Sequence, residues 1–429
     1  MSRHKVLIGL LALATGTVVY RTYSSSRRAR RTRRARRASN GMRLDVVVIA
    51  GSPALPVTRS LALDMERKGF MVYIVCNSQE DEANVRRLSR PDIKPLTLDI
   101  TNVCNAVFAH FLFVADHKQP PDAGSSIDRF AQYLQAPHTM VPKGRKYQIS
   151  LRSVILIPSL NYQTSPIATI PPSSFADLFN THLLQPILTI QAFLPLLTAR
   201  LRPAEKFQPP KVLVFTPSII SSINPPFHAP EATICSALSA FTEVLAAELR
   251  PLSIPVTHVQ LGTFDFAGFT PSGNHRNEQH HGGSYYGLLP APEGLDTNSW
   301  PESARQAYAR NYLSQSASAI SAGRIQGMRG SSLRELHNAV FDVIDGTNTS
   351  GVVRVGLGAS VYGFVGRFVP RGLVAWMMGI RKVDELATWQ SSSHNSPRSM
   401  GSDNGETSQE AFVAVPLEQV GDAHVWKEA

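Results

Sequence analysis

The stretch that most constrains the fold is a strand, a long helix and a second strand within residues 211–266. Residues 212–216 form an apolar β-rich run that ends at a proline, and residues 254–261 form a second run that ends at Gly262. A strand, crossover helix and strand of this size predict a parallel βαβ unit. The apolar residues of the intervening helix recur at steps of three or four and share one face: Ile234, Leu238, Phe241, Leu245 and Leu249.

The same pattern continues on both sides of this unit. Further runs typical of buried strands lie at residues 44–50, 71–76, 94–100, 154–157 and 352–357. Strands that alternate with helical stretches predict a parallel sheet covered by helices on both faces. The sequence therefore predicts an α/β fold with a doubly wound parallel sheet, in a single domain that spans residues 44–382.

Positive charge is concentrated near the N-terminus. The chain has a formal net charge of +11, and residues 1–44 hold twelve Lys and Arg residues with no Asp or Glu. The rest of the chain is therefore close to neutral, whereas a nucleic-acid-binding domain would carry its basic charge on the fold itself. This distribution disfavours nucleic acid as a partner of the domain.

An apolar segment precedes the basic block and predicts a membrane anchor. Residues 6–20 are apolar, although a spanning helix usually needs about 20 residues. Nine arginines follow within residues 21–37, and such a block stays on the cytosolic side of a membrane. We expect an anchor at residues 1–23 and an Arg-rich linker at residues 24–43, in the endoplasmic reticulum or outer mitochondrial membrane with the body in the cytosol.

Two other interpretations of the N-terminus remain open. Its Arg- and Ser-rich, acid-free composition also suits a cleaved transit peptide, and the short apolar stretch suits a signal peptide. For the block from Arg27 to Arg37 we also expect contact with anionic lipid head groups.

Cysteine and histidine spacing does not indicate a metal site. Cys76, Cys104 and Cys235 are odd in number and far apart, which argues against a disulfide framework and against a structural zinc site. Residues 275–283 (HRNEQHHGG) hold three histidines, but no acid or cysteine partner lies at a useful spacing. A solvated loop is the favoured interpretation, and no metal is expected.

Several stretches interrupt or extend the predicted domain. Residues 116–152 are marked by prolines and predict an inserted surface loop with one short helix, and residues 263–330 form a second insert. Residues 359–382 are apolar, contain Trp376 and are flanked by Arg and Lys; they predict either a bilayer-interface segment or a packed C-terminal helix. Residues 383–429 are Ser-, Asn- and Gly-rich, then acidic, and predict a disordered tail.

The turn after the first strand is the place where a dinucleotide-binding fold has its phosphate-binding glycines. The sequence there is GSPALP at residues 51–56, and only Gly51 matches the pattern Gly-x-x-x-Gly-x-Gly. Leu55 and Val57 stand at the other two glycine positions, where side chains keep the backbone away from a pyrophosphate. The two prolines of the turn lack an N–H donor. These residues argue against binding of a dinucleotide cofactor.

The βαβ unit of residues 211–266, this turn and the Leu-Asp-Ile at residues 98–100 together resemble the short-chain dehydrogenase/reductases, which have a Rossmann-like doubly wound sheet. The anchor, the degenerate motifs and the insertions further resemble a fungal family of membrane-anchored, dehydrogenase-like proteins without an assigned reaction. The resemblance implies NADP or NAD as a cofactor. The residues at the family's cofactor-binding positions are Gly51, Ser52, Asn77, Asp99 and Gly262.

The resemblance also implies a catalytic site, which this sequence keeps only in part. Ser218 stands at the family's serine position and Asn180 at its asparagine position. The family's Tyr-x-x-x-Lys is replaced by Glu231 and Cys235, and none of the eleven tyrosines of the chain has a lysine four residues later. Glu231 could act as an acid if burial raised its pKa.

Three functions are compatible with these observations. The favoured one is a catalytically degenerate, membrane-anchored protein that acts as a scaffold or ligand-sensing module. The alternative is an NAD(P)-dependent oxidoreductase that acts on a lipid, sterol or retinoid-like carbonyl or alcohol. The third is a binder of anionic lipid or nucleic acid through the Arg block.

Overall fold

The computed structural model describes residues 33–98, 123–138, 146–158, 165–199, 209–265, 297, 300–317, 320–321, 324–325 and 330–382, and the statements below concern these residues. The predicted anchor, the three histidines of residues 275–281 and the predicted tail lie outside them.

A parallel sheet is the centre of the domain. The described strands are β1 (Asp45–Ala50), β2 (Met71–Cys76), β3 (Ile93–Thr97), β4 (Ser150–Leu156), β5 (Lys211–Pro217), β6 (Val256–Leu261), β7 (Ile320–Ser321), β8 (Arg324–Ile325) and β9 (Val352–Val355). Seven of them form one sheet in the order β3-β2-β1-β4-β5-β6-β9, and each neighbouring pair is parallel. Strands β7 and β8 form a separate antiparallel pair. Each run that the sequence predicts as a strand forms one of the seven, so the predicted doubly wound sheet is confirmed.

Helices cover both faces of the sheet. The described helices are α1 (Pro56–Lys68), α2 (Gln79–Arg87), α3 (Ala123–Gln135), α4 (Pro172–Phe179), α5 (Gln185–Thr198), α6 (Ser218–Ile223), α7 (Ala229–Leu249), α8 (Glu302–Ala317), α9 (Leu333–Ile344), α10 (Ala359–Phe368) and α11 (Arg371–Met377), with 3₁₀ turns at Ile167–Thr169 and Arg250–Leu252. One core contains side chains of α1, α2 and α9, and the core on the opposite face contains those of α3, α5 and α7. Because both faces are buried, the strands read as continuous apolar runs.

The segment before β4 is predicted as an inserted surface loop with one short helix, and the structure shows a helix there that is longer and more deeply buried than predicted. Its described part contains the thirteen-residue helix α3, whose side chains Ile127, Phe130 and Leu134 are buried in the sheet's second core. Their spacing of three and four places them on one face. This part of the segment is therefore a layer of the fold, and strand β4 begins at Ser150, earlier than predicted.

The helical stretch over residues 172–198 is not one continuous α-helix. It begins at Pro172, widens into a π-helical turn at Asn180–Leu184, and continues as α5. Pro186 lies two residues after the wide turn and cannot donate the backbone hydrogen bond that an α-helix would require there.

The end of the Arg-rich linker is bound to the domain. Arg33 forms a two-pronged ion pair with Asp342, with both donor–acceptor distances at 2.9 Å. Arg36 pairs with Asp45 at 2.7 Å, and Arg43 pairs with Glu66 at 2.8 Å. The guanidinium of Arg33, whose side chain is 9% exposed, is thus paired with the domain. Lipid contact by the block from Arg27 to Arg37 stays a prediction.

One described helical stretch, Ala229–Leu252, is long and apolar enough to cross a membrane, with a mean hydropathy of 1.4. It contains α7, the crossover helix between β5 and β6, and its residues Ile234, Leu238 and Leu245 are buried in the domain. This is weak evidence for membrane association, since core helices of soluble proteins have the same composition.

Candidate functional site

A crevice opens where the chain order of the sheet reverses. Strands β2 and β4 lie on either side of β1, so the connections after β1 and β4 leave in opposite directions. The crevice has a volume of about 240 Å³. Its polar lining consists of Ser52, Asn77, Asp81, Thr181, Gln185 and Thr189.

The structure brings three predicted cofactor positions together in this crevice. Gly51 and Ser52 follow β1, and Asn77 follows β2. The predicted Asp99 lies outside the described residues. Gly262 is elsewhere: a Cβ on it would overlap the carbonyl oxygen of Leu357, so this glycine allows close approach between the ends of β6 and β9.

Two backbone donors of the turn at residues 51–56 are used within the turn itself. The amide of Leu55 donates to the carbonyl of Ser52 at 3.1 Å, and the amide of Ala54 donates to the Ser52 hydroxyl at 3.3 Å. Pro53 and Pro56 have no N–H. A diphosphate needs several free backbone donors at such a turn. The residues present therefore do not fit the diphosphate of NADP or NAD.

The side chains at the family's second and third glycine positions belong to the core. Val57 is fully buried, and Leu55 packs against the same apolar cluster. Gly51 itself is required by packing, because a Cβ there would lie 2.8 Å from both the Cβ and the carbonyl oxygen of Ile157. The turn is thus built for contact between β1, α1 and β4.

Sequence reasoning missed most of the crevice's polar groups. Asp81 lies in the first turn of α2, and its amide donates to the capping Ser78 hydroxyl at 3.1 Å. Gln185 and Thr189 are one helical turn apart on α5 and reach the crevice from the other side. The Ser-x-x-Asp spacing of a helix cap was a local signal for Asp81. The described lining contains one carboxylate and no Lys or Arg, which suits an uncharged ligand rich in hydroxyl groups.

Ser218 does not face an open site. It is the first residue of α6, it is fully buried, and its hydroxyl donates to the carbonyl oxygen of Ala359 at 2.9 Å. Asn180 is exposed at the start of the π-helical turn. The predicted catalytic residues Ser218 and Asn180 are therefore not presented together to one cavity of the described residues.

Glu231 lies in a closed acid–base pair. Its carboxylate oxygen is 3.7 Å from Nε2 of His228, and both side chains are nearly inaccessible to solvent. The His228 Nδ1 lies 2.8 Å from the carbonyl of Pro226, so this nitrogen donates and Nε2 faces the carboxyl group. Burial raises the pKa of Glu231 well above its usual value and lowers the pKa of His228 to about 4. Although the distance is that of an ion pair, both shifts favour a neutral pair at pH 7.

The cysteines are not poised for chemistry. Burial, and to a smaller extent the neighbouring Glu231, raises the pKa of the Cys235 thiol, and burial raises the pKa of Cys76 to about 12. A thiolate is therefore disfavoured at both positions. Cys104 lies outside the described residues, and the described residues contain no cluster of three potential metal ligands.

Comparison with solved structures finds chains that are similar to this one. A short-chain dehydrogenase from Streptomyces avermitilis is similar over 82% of this chain and 98% of its own, with 16% identity and a TM-score of 0.48. A short-chain dehydrogenase from Burkholderia cenocepacia J2315, in complex with NADP, is similar over 78% of this chain and 98% of its own, with 15% identity and a TM-score of 0.46.

Sequence comparison gives a more specific relationship. The UPF0744 protein C106.03 of Schizosaccharomyces pombe is 24% identical over 273 residues, which make up 63% of this chain and 64% of that protein. Residues 42–375 match a fungal family of unknown function, DUF1776. The predicted resemblance to a degenerate, dehydrogenase-like fungal family is confirmed, and the chain belongs to the DUF1776 family.

Proposed function

We propose that this protein is a catalytically inactive descendant of a dehydrogenase fold that binds a ligand in the β1–β4 crevice and acts as a ligand-sensing or scaffold module. One observation carries the proposal: the Ser218 hydroxyl is used by the Ala359 carbonyl, 141 residues away in the chain. The position that should hold a catalytic tyrosine holds the buried Glu231 instead. Neither residue has an accessible donor for a substrate carbonyl.

The crevice supports an uncharged ligand of about nucleoside size. Its volume of about 240 Å³ is below the range of roughly 300 to 1,000 Å³ that drug-sized ligands occupy. Asn77, Asp81 and Gln185 offer amide and carboxylate groups that hydrogen-bond hydroxyl groups. The ligand would be part of a dinucleotide, such as an adenine nucleoside, in preference to whole NADP or NAD.

The test is a titration of the full-length protein in detergent micelles with adenosine, NADPH and NADH, followed by melting temperature. We expect adenosine to raise the melting temperature and NADPH to add nothing beyond it. A control variant, Thr189→Leu, fills the crevice and should abolish the shift. Micromolar NADPH binding that Thr189→Leu leaves intact would refute the proposed ligand.

An NAD(P)-dependent oxidoreductase for a lipid, sterol or retinoid-like carbonyl or alcohol is the second candidate. The crevice at the switch point of a dehydrogenase-like sheet favours it. It would require Ser218 to leave Ala359 during turnover. Carbonyl reduction that disappears in Ser218→Ala, while the variant remains folded, would establish this candidate and overturn the first.

The proposal places the protein on the endoplasmic reticulum or outer mitochondrial membrane through residues 6–20, with the domain in the cytosol. The apolar segment followed by arginines supports this orientation. The pairing of Arg33 and Arg36 with the domain leaves fewer arginines for anionic lipid or nucleic acid. Protease protection in isolated organelles tests the orientation: the domain should be digested without detergent.

A further inference from the structure

The helices α10 and α11 carry an unusual number of exposed apolar side chains. Thirteen large apolar residues of the described chain are exposed, and six of them lie within residues 361–377. We name these six the apolar face: Val361, Phe364, Phe368, Leu373, Trp376 and Met377. Phe364, Phe368 and Trp376 are 61%, 65% and 58% exposed. Isolated exposed apolar residues are ordinary, but six of them within 17 residues of two successive helices indicate an interaction surface.

The other sides of the same two helices are anchored in the fold. Tyr362, Val374 and Met378 are buried in a small apolar cluster with residues of α6 and α7. Gly366 lies directly against the backbone of Ser222, which brings α10 close to α6. Residues 359–382 are predicted as either a bilayer-interface segment or a packed C-terminal helix. One side of the two helices packs against the domain, and the apolar face on the other side is exposed to solvent.

Basic side chains flank the apolar face. Residues 359–382 contain Arg367, Arg371, Arg381 and Lys382, and no Asp or Glu. The guanidinium of Arg381 lies over the ring of Trp376, 5.0 Å from its centroid. Aromatic rings at an apolar surface with arginines at its border are the composition of elements that lie in the interface of a bilayer.

We propose that the apolar face of α10 and α11 is a membrane-contact surface that inserts into the interface of a bilayer rich in anionic lipid. Charge complementarity selects this occupant, because four cations without an acid match anionic head groups. A second copy of the chain fits less well. A two-fold interface would place this cationic set against itself, and the face covers on the order of 500 Å², below the roughly 800 Å² per partner of a stable interface.

The position of the face determines how the domain would sit on the membrane. Helix α10 follows the carboxyl end of β9, whereas Arg33 binds Asp342 before the amino end of β9. The face and the entry of the N-terminal linker therefore lie at opposite ends of the strands. Residues 21–32 can span up to about 40 Å, and the strands are only about 20 Å long. A segment at residues 6–20 in the bilayer is therefore compatible with contact through α10 and α11.

Site-specific photo-crosslinking in the full-length protein tests the proposal. A benzophenone amino acid replaces Phe368, and in a control protein it replaces Leu252, which is exposed at the amino end of β6. Both proteins are incorporated into vesicles of phosphatidylcholine with one third phosphatidylserine, and into vesicles of phosphatidylcholine alone. We expect lipid adducts at position 368 several-fold above those at position 252, and fewer of them without phosphatidylserine.

Other outcomes overturn the proposal and identify the true occupant. Adducts of position 368 with a second copy would indicate a dimer, and adducts with the chain's own residues would indicate an internal cover. Lipid adducts at position 252 in place of 368 would show that the opposite end of the sheet faces the membrane. Phe368→Glu, at a position exposed to solvent, gives a second readout: it should halve or further reduce adducts from a probe at Phe364.

Discussion

The hydroxyl of Ser218 and the carbonyl oxygen of Ala359 are 2.9 Å apart, and this bond joins the end of β5 to the start of α10. In a working dehydrogenase of this fold, the resemblance implies that a serine at this position would contact substrate. Here it fixes the helix whose outer side carries the apolar face. The position to which the resemblance assigns a catalytic serine is thus part of the attachment of a surface element.

Replacing Ser218 by Ala should therefore change stability. The variant leaves a buried carbonyl oxygen without one of its donors, so we expect a loss of about 1 kcal/mol in the free energy of unfolding. The measurement is the midpoint of urea denaturation. Ser221→Ala is the matched control on the same helix, since its hydroxyl bonds only to backbone of its own turn and should cost less. A stability equal to that of the parent protein would contradict a structural role for Ser218.

A second prediction concerns the ion pair between the linker residue Arg33 and Asp342. Arg33→Ala leaves Asp342 without its two-pronged partner, and both side chains are about 10% exposed. We expect a loss of about 3 kcal/mol in the free energy of unfolding, because removal of one partner leaves a charge poorly solvated. Arg34→Ala, one residue away and exposed, should change stability by less than about 0.5 kcal/mol. Equal effects of the two variants would show that the linker is not bound to the domain in solution.

Gly51 gives a prediction that separates packing from cofactor binding. In Gly51→Ala the new Cβ would lie 2.8 Å from Ile157, so we expect destabilisation of about 1 to 3 kcal/mol. Gly372→Ala is the control, because a Cβ there meets nothing within 4 Å and favours the helix. Thermal unfolding of the two variants measures the contrast. Weakened nucleotide binding with unchanged stability would instead indicate that Gly51 is needed for a phosphate.

The strands could be predicted from sequence because parallel strands buried on both faces leave an unbroken apolar run, as at β1 and β6. The role of Ser218 could not, because its partner Ala359 is brought near only by the order of β5, β6 and β9. The same holds for Gln185 and Thr189, which reach the crevice from a distant part of the chain. Local motifs placed Gly51, Ser52 and Asn77 near one another, because each follows the end of a strand at the same edge of the sheet.

The sequence alone also shows that the family's tyrosine and lysine are absent, because this requires only a search for the Tyr-x-x-x-Lys spacing. The buried contact between Glu231 and His228 that stands in their place could not be predicted from the sequence. His228 lies three residues before Glu231, and its approach to the carboxyl group depends on the bend at Pro226 that orients its Nδ1. Burial of such a pair depends on tertiary packing, which no local pattern in the sequence predicts.

The pair predicts how stability depends on pH. Because burial raises the pKa of Glu231, the folded protein keeps a proton that the unfolded chain releases above about pH 4.5. This contribution is present at low pH and is lost as pH rises toward the folded pKa. His228 acts in the opposite direction: its pKa is lowered to about 4, so its effect lowers stability as pH falls from 6.5 toward 4. Above about pH 6.5 the Glu231 effect remains alone.

Glu231→Gln should remove that effect while keeping the shape of the side chain. Relative to the parent protein, the variant should gain stability between about pH 5 and about pH 8, by up to about 1.4 kcal/mol per pH unit. Urea denaturation at the two pH values measures the difference. Glu243→Gln, at an exposed carboxylate on the same helix, is the matched control variant. If Glu231→Gln gave a difference that does not change with pH, Glu231 would be ionised and paired with a charged His228, and the neutral pair inferred from burial would be wrong.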